Sequence, residues 1–211
     1  MQIFIDSADV EQIKQAIEIG LCDGITTNPT LIAKTGKDNA KAIADICAIT
    51  DVPVNAETVG ISYNEIIEEG SALADIASNV VIKIPMTKGG LRAVAYFADR
   101  EVMTTVTLIF NLNQALLAAK AGASYIAPFV GRLDDISSEG MEIIQEIAQV
   151  YEYYEYPTEI VVASVRSPMH VKQAALAGAD AITVPPSLID KLFAHPLTDR
   201  GIEQFLKDAG K

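Results

Sequence analysis

The chain has few of the residues that announce a metal centre, a disulfide framework or a membrane span. Its 211 residues contain two cysteines and two histidines. Cys22 and Cys47 have no metal-ligand spacing, which fits free thiols in a reducing compartment better than a bridge. His170 and His195 lie in two distant loops, each beside a proline (Pro168, Pro196) at an expected helix start. One histidine in each of two loops makes no metal site. No apolar run approaches the length needed to cross a bilayer. The first residues enter a strand, Gln2-Ile3-Phe4-Ile5-Asp6, with neither a basic leader nor a cleavage site. The expectation is a mature chain working in the cytoplasm. Positive charge is also short, with a formal net charge of −12. That argues against nucleic acid and anionic membranes as partners, and it requires positive groups to be concentrated wherever an anionic substrate binds. No strand-like run is followed by a glycine-rich dinucleotide or P-loop fingerprint.

What is present is a series of short apolar runs separated by helical stretches. Half the residues are hydrophobic and about a fifth charged, a globular composition able to bury one large core. The expected strands are 2–6, 24–26, 52–57, 80–85, 102–108, 124–128, 159–163 and 181–184, each followed by a helix. The first helix is expected to begin after Ser7, with Val10, Ile13 and Ile17 on one face, and to end near Gly20. The longest follows Ser138 and ends in the acidic aromatic run 151–156, read as a surface or subunit contact. An internal echo links 119–128 to 175–185, with 20–26 as a looser third copy. In each, a helix closes on glycine and a short turn drops into a strand. Eight such units predict a single-domain (β/α)8 TIM barrel over 1–211. A doubly wound sheet is the alternative, weakened by the absent fingerprint. Ile202, Phe205, Leu206 and Ala209 line one face of an extra C-terminal helix that a monomeric barrel does not need.

The segment Val80-Val81-Ile82-Lys83-Ile84-Pro85 carries the most chemistry. A continuous Val/Ile run reads as a strand covered on both faces, and a lysine inside it has no solvent to hold its charge. Desolvation disfavours an ammonium, so such a lysine is expected to be partly neutral and nucleophilic, suited to a Schiff base with a carbonyl. A lysine at a strand end that snorkels to solvent is the competing reading. In a barrel the functional groups stand at the C-terminal ends of strands. Those ends supply Asp6, Thr26-Thr27-Asn28, Glu57, Lys83, Thr105 with Thr107, Arg132, and Ser164 with Arg166. Individually, Asp6 could cap the first helix, Asn28-Pro29 could simply start the second, and Arg132 could pair with Asp134 or Asp135. Together they offer an amine, two carboxylates, hydroxyl and amide donors, and two arginines. Schiff-base chemistry needs an amine, a proton shuttle to expel water and an acid/base for a substrate hydroxyl, while guanidinium forks suit a phosphate.

Four segments carry a family resemblance: 24–32 (GITTNPTLI), 81–87 (VIKIPMT), 127–134 (APFVGRLD) and 163–166 (ASVR). They resemble the motifs of the transaldolases, collinearly along the chain, and are closest to the short transaldolases. That subgroup also contains the fructose-6-phosphate aldolases. The resemblance implies a class I mechanism in which Lys83 attacks the carbonyl of a ketose phosphate. Asp6 matches the aspartate that takes the C4 hydroxyl proton. Glu57 matches the carboxylate that works through a water with a threonine, here Thr26. Asn28 matches the amide holding the dihydroxyacetone unit, and Arg132, Ser164 and Arg166 match phosphate-side contacts. Because the iminium is the electron sink, no cofactor is implied. The implied activity is transfer of a dihydroxyacetone unit between sugar phosphates of the pentose phosphate pathway, and the implied assembly is a homo-oligomer, a pentamer or decamer. The aldolases of the subgroup have a glutamine resembling Glu57 and a tyrosine resembling Phe129, so this chain has the transferase residue at both. It departs from the usual pattern at Thr105, where asparagine is common, and at Gly89, expected to affect only a loop.

Overall fold

A computed structural model describes residues 1–211. Eight strands, β1 (Gln2–Asp6), β2 (Gly24–Thr26), β3 (Val54–Glu57), β4 (Val80–Pro85), β5 (Thr104–Ile109), β6 (Tyr125–Pro128), β7 (Glu159–Val162) and β8 (Ala181–Val184), pair in chain order as a closed parallel barrel. The helices around them are α1 (Val10–Glu18), α2 (Pro29–Thr35), α3 (Asn39–Cys47), α4 (Tyr63–Ala74), α5 (Lys88–Ala98), α6 (Leu112–Lys120), α7 (Val130–Asp134), α8 (Gly140–Tyr154), α9 (Pro168–Ala177), α10 (Pro186–Phe193) and α11 (Pro196–Asp208). The expected TIM barrel with an added C-terminal helix is the observed fold. Two units carry a second helix, α3 after β2–α2 and α8 after β6–α7.

Strand ends differ from the sequence-based bounds for identifiable reasons. β3 starts at Val54 rather than 52, after Pro53, which has no N–H to donate to a ladder. β5 starts at Thr104 and runs on to Ile109 through a register shift between Thr107 and Ile109, with Leu108 between them at φ 61°. α1 is capped by Asp9, whose carboxylate accepts from the N–H groups of Glu11 and Gln12, so it begins later than expected. That assignment matters for function, because it leaves Asp6 free of the capping role. Gly89 lies in the first turn of α5 rather than in a loop, with a Cβ position 3.1 Å from both the Ile61 carbonyl oxygen and the Tyr63 nitrogen. Of the aromatic run 151–156, Tyr151 is core: its hydroxyl donates to the Ala115 carbonyl at 2.7 Å and ties α8 to α6, while Tyr153 and Tyr154 are exposed. The internal echo has a physical basis. Gly20, Gly122 and Gly178 all adopt φ between 73° and 88°, the left-handed turn that reverses the chain from helix into strand.

The core has two compartments. Outward-facing Val80, Ile82 and Ile84 of β4 join a 40-residue cluster between barrel and helices. The alternate residues Val81 and Lys83 face the barrel axis, so one unbroken apolar run serves two surfaces. Inside the barrel, Phe4, Val161 and Ala181 form a separate layer, with Tyr125 edge-on to Phe4 at 6.1 Å. Gly24 makes room for the Phe4 ring, since a Cβ there would lie 2.6 Å from a ring carbon. This layer is a floor. The space left above it is at the C-terminal ends of the strands, where a barrel places its chemistry.

No helix is long and apolar enough to cross a membrane. Cys22 and Cys47 are free thiols. α11 buries none of its residues, and Phe205 and Ile202 are 74% and 53% exposed.

Candidate active site

Strand register assembles the polar residues. Glu57 on β3 stands level with Lys83 on β4, and Lys83 with Thr105 on β5. One step round, Asp6 is level with Thr26, and Thr26 with Asn55. In a parallel ladder, residues in register point to the same side, so these two rows line the barrel axis. Side-chain bonds join them. Lys83 Nζ is 2.8 Å from Glu57 Oε2 and donates to the Thr27 carbonyl at 2.8 Å. Thr26 donates to Asp6 Oδ1 at 2.9 Å and shares a hydrogen bond with the Thr183 hydroxyl. Thr105 donates to Asn55 Oδ1, and Asn55 Nδ2 donates to the Ile25 carbonyl.

Lys83 is 4% exposed, which rejects the snorkelling alternative. The strand alone does not reveal its partner, Glu57. A carboxylate faces its ammonium, and a proton can pass directly between the two. Asp6 is raised above the ordinary carboxylate value, chiefly by burial, with the Thr26 hydrogen bond and the Lys83 charge acting the other way. A carboxylate so placed is more basic than one in water.

These residues enclose a cavity of about 260 Å³. Asp6, Thr26, Asn28, Lys83, Thr105, Phe129, Arg132, Ser164 and Arg166 all line it. Glu57 reaches it through the Lys83 pair and is not itself on the wall. Thr107 is fully buried away from the cavity, and its hydroxyl has no partner. Thr26 is held directly by Asp6 and Thr183. Asn28 has two uses: its Oδ1 caps α2 by accepting from Leu31 at 3.0 Å, while its amide nitrogen stays available at the cavity wall.

The mouth is built by the start of α7 and the end of β7. Phe129 donates its N–H to the Ile109 carbonyl and bridges to Ala163, and Val130 and Gly131 donate to the carbonyls of Ala163 and Ser164. A Cβ on residue 131 would lie 2.2 Å from the Ser164 carbonyl oxygen and 2.8 Å from Arg166 Nε, so the close approach requires glycine. Ser164 has φ 60°, a sparsely occupied conformation for a residue with a side chain. Arg132 stands 4.9 Å over the Phe129 ring, and Arg166 makes a two-pronged contact with Asp135. The competing reading, in which Arg132 pairs with Asp134 or Asp135, does not hold: Asp135 meets Arg166, and Asp134 meets His170. Both histidines have local roles. His170 Nε2 meets Asp134 at 2.9 Å and its Nδ1 accepts from the Arg166 N–H, while His195 caps α11.

A barrel with a buried lysine–carboxylate pair beneath an arginine-lined mouth can be compared with known proteins. The Transaldolase/Fructose-6-phosphate aldolase family matches residues 3–211. The chain belongs to that family. Probable transaldolases of Caulobacter vibrioides (strain NA1000 / CB15N) and Aquifex aeolicus (strain VF5) are each 55% identical over 208 residues, covering 99% of this chain and 96% of theirs. A probable transaldolase of Methanococcus maripaludis (strain C7 / ATCC BAA-1331) is 53% identical, covering 99% and 97%. The chain is thus a transaldolase-type enzyme of this family.

Sequence reasoning missed Thr183 and Asn55, and it placed Thr27 at the strand ends without its contact to Lys83. Asn55 was within reach, because it lies two residues before Glu57 and so faces the same way. Thr183 is the one polar residue of Ala-Ile-Thr-Val, a weaker signal. Thr27 acts through its carbonyl, which side-chain chemistry cannot reveal.

Proposed function

We propose that the enzyme is a class I transaldolase. It moves a dihydroxyacetone unit from a ketose phosphate (sedoheptulose 7-phosphate or fructose 6-phosphate) to an aldose phosphate (glyceraldehyde 3-phosphate or erythrose 4-phosphate) within the pentose phosphate pathway. The observation that carries this reading is Lys83, buried on the barrel axis 2.8 Å from Glu57 and opening into the cavity that Asp6, Arg132 and Arg166 also line.

Lys83 passes a proton to Glu57 and attacks C2 of the ketose. Glu57, working through a water with Thr26, which lines the cavity, returns the proton to the carbinolamine hydroxyl, which leaves as water, and the iminium forms. Asp6 takes the C4 hydroxyl proton, the C3–C4 bond breaks, and its electrons enter the iminium to give an enamine and a free aldose. The acceptor aldehyde is then attacked by the enamine carbon, its oxygen is protonated by Asp6, and hydrolysis releases the new ketose and Lys83. No cofactor is needed, because the iminium takes up the electron pair. Asn28 and Thr105 hold the dihydroxyacetone unit, and Arg132, Ser164 and Arg166 hold the phosphate. Cleavage without transfer requires water to protonate the enamine. Phe129 offers no hydroxyl to relay that proton, which favours transfer over the aldolase reaction. Substrates are sugar phosphates rather than nucleic acid or membranes, and the setting is the cytoplasm. The bare apolar face of α11 supports a homo-oligomer, a pentamer or decamer.

Borohydride reduction with fructose 6-phosphate, followed by peptide mapping, tests the mechanism. The adduct is expected on Lys83 alone; a label elsewhere, or none, removes it. Adding or omitting erythrose 4-phosphate in the same assay separates transferase from lyase.

A further inference from the structure

Arg132 and Arg166 share the mouth of the cavity but not the same company. Arg132 has no carboxylate at ion-pair distance and lies over the Phe129 ring. Both terminal nitrogens of Arg166 are taken by the two carboxylate oxygens of Asp135, Nη2 meeting Oδ2 at 2.6 Å. The neighbouring Asp134 is committed elsewhere, accepting from Gly140 N–H at 3.0 Å and pairing with His170. Asp135 has no second partner, is half exposed and does not line the cavity. The Arg166 stem lies against the Gly131 backbone, so its fork has a restricted set of positions.

A carboxylate and a phosphate present two oxygens to a guanidinium fork in nearly the same way. We propose that Asp135 is a specificity-determining residue, an internal carboxylate on the Arg166 fork that the substrate's phosphate dianion must displace. This rests on reading Arg166 as a phosphate contact. Displacement exchanges a singly charged ligand for a doubly charged one, so a phosphate monoester gains where a neutral sugar or a carboxylate gains little. Asp135 is held ionised by its hydrogen bond to Arg166 and by the charges of Arg166 and Arg132, so it competes throughout the neutral range. Exposed pairs of this kind are weak, so the competition is a few-fold effect rather than a block.

The test compares fructose 6-phosphate with fructose in the assembled enzyme. Asp135→Asn keeps the size and removes the competing charge. It is expected to lower KM for fructose 6-phosphate about three- to fivefold, to raise the preference for the phosphorylated sugar by the same factor, and to tighten inhibition by inorganic phosphate. Asp135→Glu is expected to return KM toward the wild-type value. In an Arg166→Ala background, Asp135→Asn is expected to have no effect. A KM that rises in Asp135→Asn makes Asp135 an aligner of Arg166 and overturns the proposal, as does an unchanged preference. If Arg166→Ala itself leaves the preference unchanged, the phosphate reading fails first. If Arg166→Ala abolishes the preference and Asp135→Asn does not move it, only the competitor role is lost.

Discussion

Replacing Glu57 with glutamine preserves shape and one acceptor oxygen while removing the charge opposite Lys83. In the folded enzyme the Lys83 ammonium has two contacts, Glu57 and the Thr27 carbonyl, both at 2.8 Å, and the side chains of Lys83 and Glu57 are 5% and 15% exposed. Removing one partner of a fully buried pair costs about 3–5 kcal/mol, because an uncompensated charge remains. Here the Thr27 carbonyl stays, and the glutamine oxygen can still accept. The expected loss is therefore smaller, about 2 kcal/mol, or roughly 4–8 °C in Tm for a chain of this size. Lys83→Met is the counterpart. It leaves Glu57, the more exposed partner, and packs an unbranched apolar side chain into the strand. Combining the two substitutions removes both charges, and the double variant is expected to recover most of the stability lost in Glu57→Gln. The measurement is a thermal or urea unfolding cycle at fixed protein concentration, since the proposed assembly would add to apparent stability. Additive effects in the double variant, or a Glu57→Gln protein as stable as wild type, would refute the claim that this pair satisfies a buried charge. The same variant also tests the shuttle, since borohydride trapping on Lys83 is expected to slow with it.

Thr26→Val removes the hydroxyl that stabilises the ionised form of Asp6, so the Asp6 value rises further and the acidic limb of kcat/KM moves to higher pH; an unmoved limb would mean Asp6 is not the titrating base. The sign for stability follows the same shift: a buried Asp6 with a raised value favours the fold when protonated and loses that contribution as pH climbs through the folded value. Phe129→Tyr is expected to gain release of free dihydroxyacetone from fructose 6-phosphate while transfer to erythrose 4-phosphate falls, and a wild type that cleaves as fast as it transfers would reverse the assignment. Deleting residues from Pro196 onward is expected to lower the oligomeric state before the barrel unfolds, because α11 adds no buried residue to its own barrel; sedimentation of an unchanged assembly would show that the helix is not an intersubunit element.

The barrel was legible in the sequence because its determinants are local. Repeated apolar runs, caps such as Asn28 and Ser167, and glycines that close helices recur at a βα spacing, and parallel strands covered on both faces read as unbroken Val/Ile runs. Lys83 was legible as the candidate nucleophile for the same reason: one charge inside such a run is anomalous wherever the strand lies. The partners of each group were not legible. Glu57, Lys83 and Thr105 are far apart in the chain, and only barrel register makes them neighbours. That Thr26 bonds Asp6 and Thr183, and that Asp135 meets Arg166 rather than Arg132, depends on distances of a few ångströms between separate units. Thr107 shows the limit most clearly. It has the alternation of a cavity residue, yet it sits beside the register shift at Leu108 and ends in the packed interior. Residue types and their periodicity determined the fold and the kind of chemistry. The closing of eight strands into a ring decided which charges face each other, because electrostatic and hydrogen-bond energies depend on separations that no linear spacing contains.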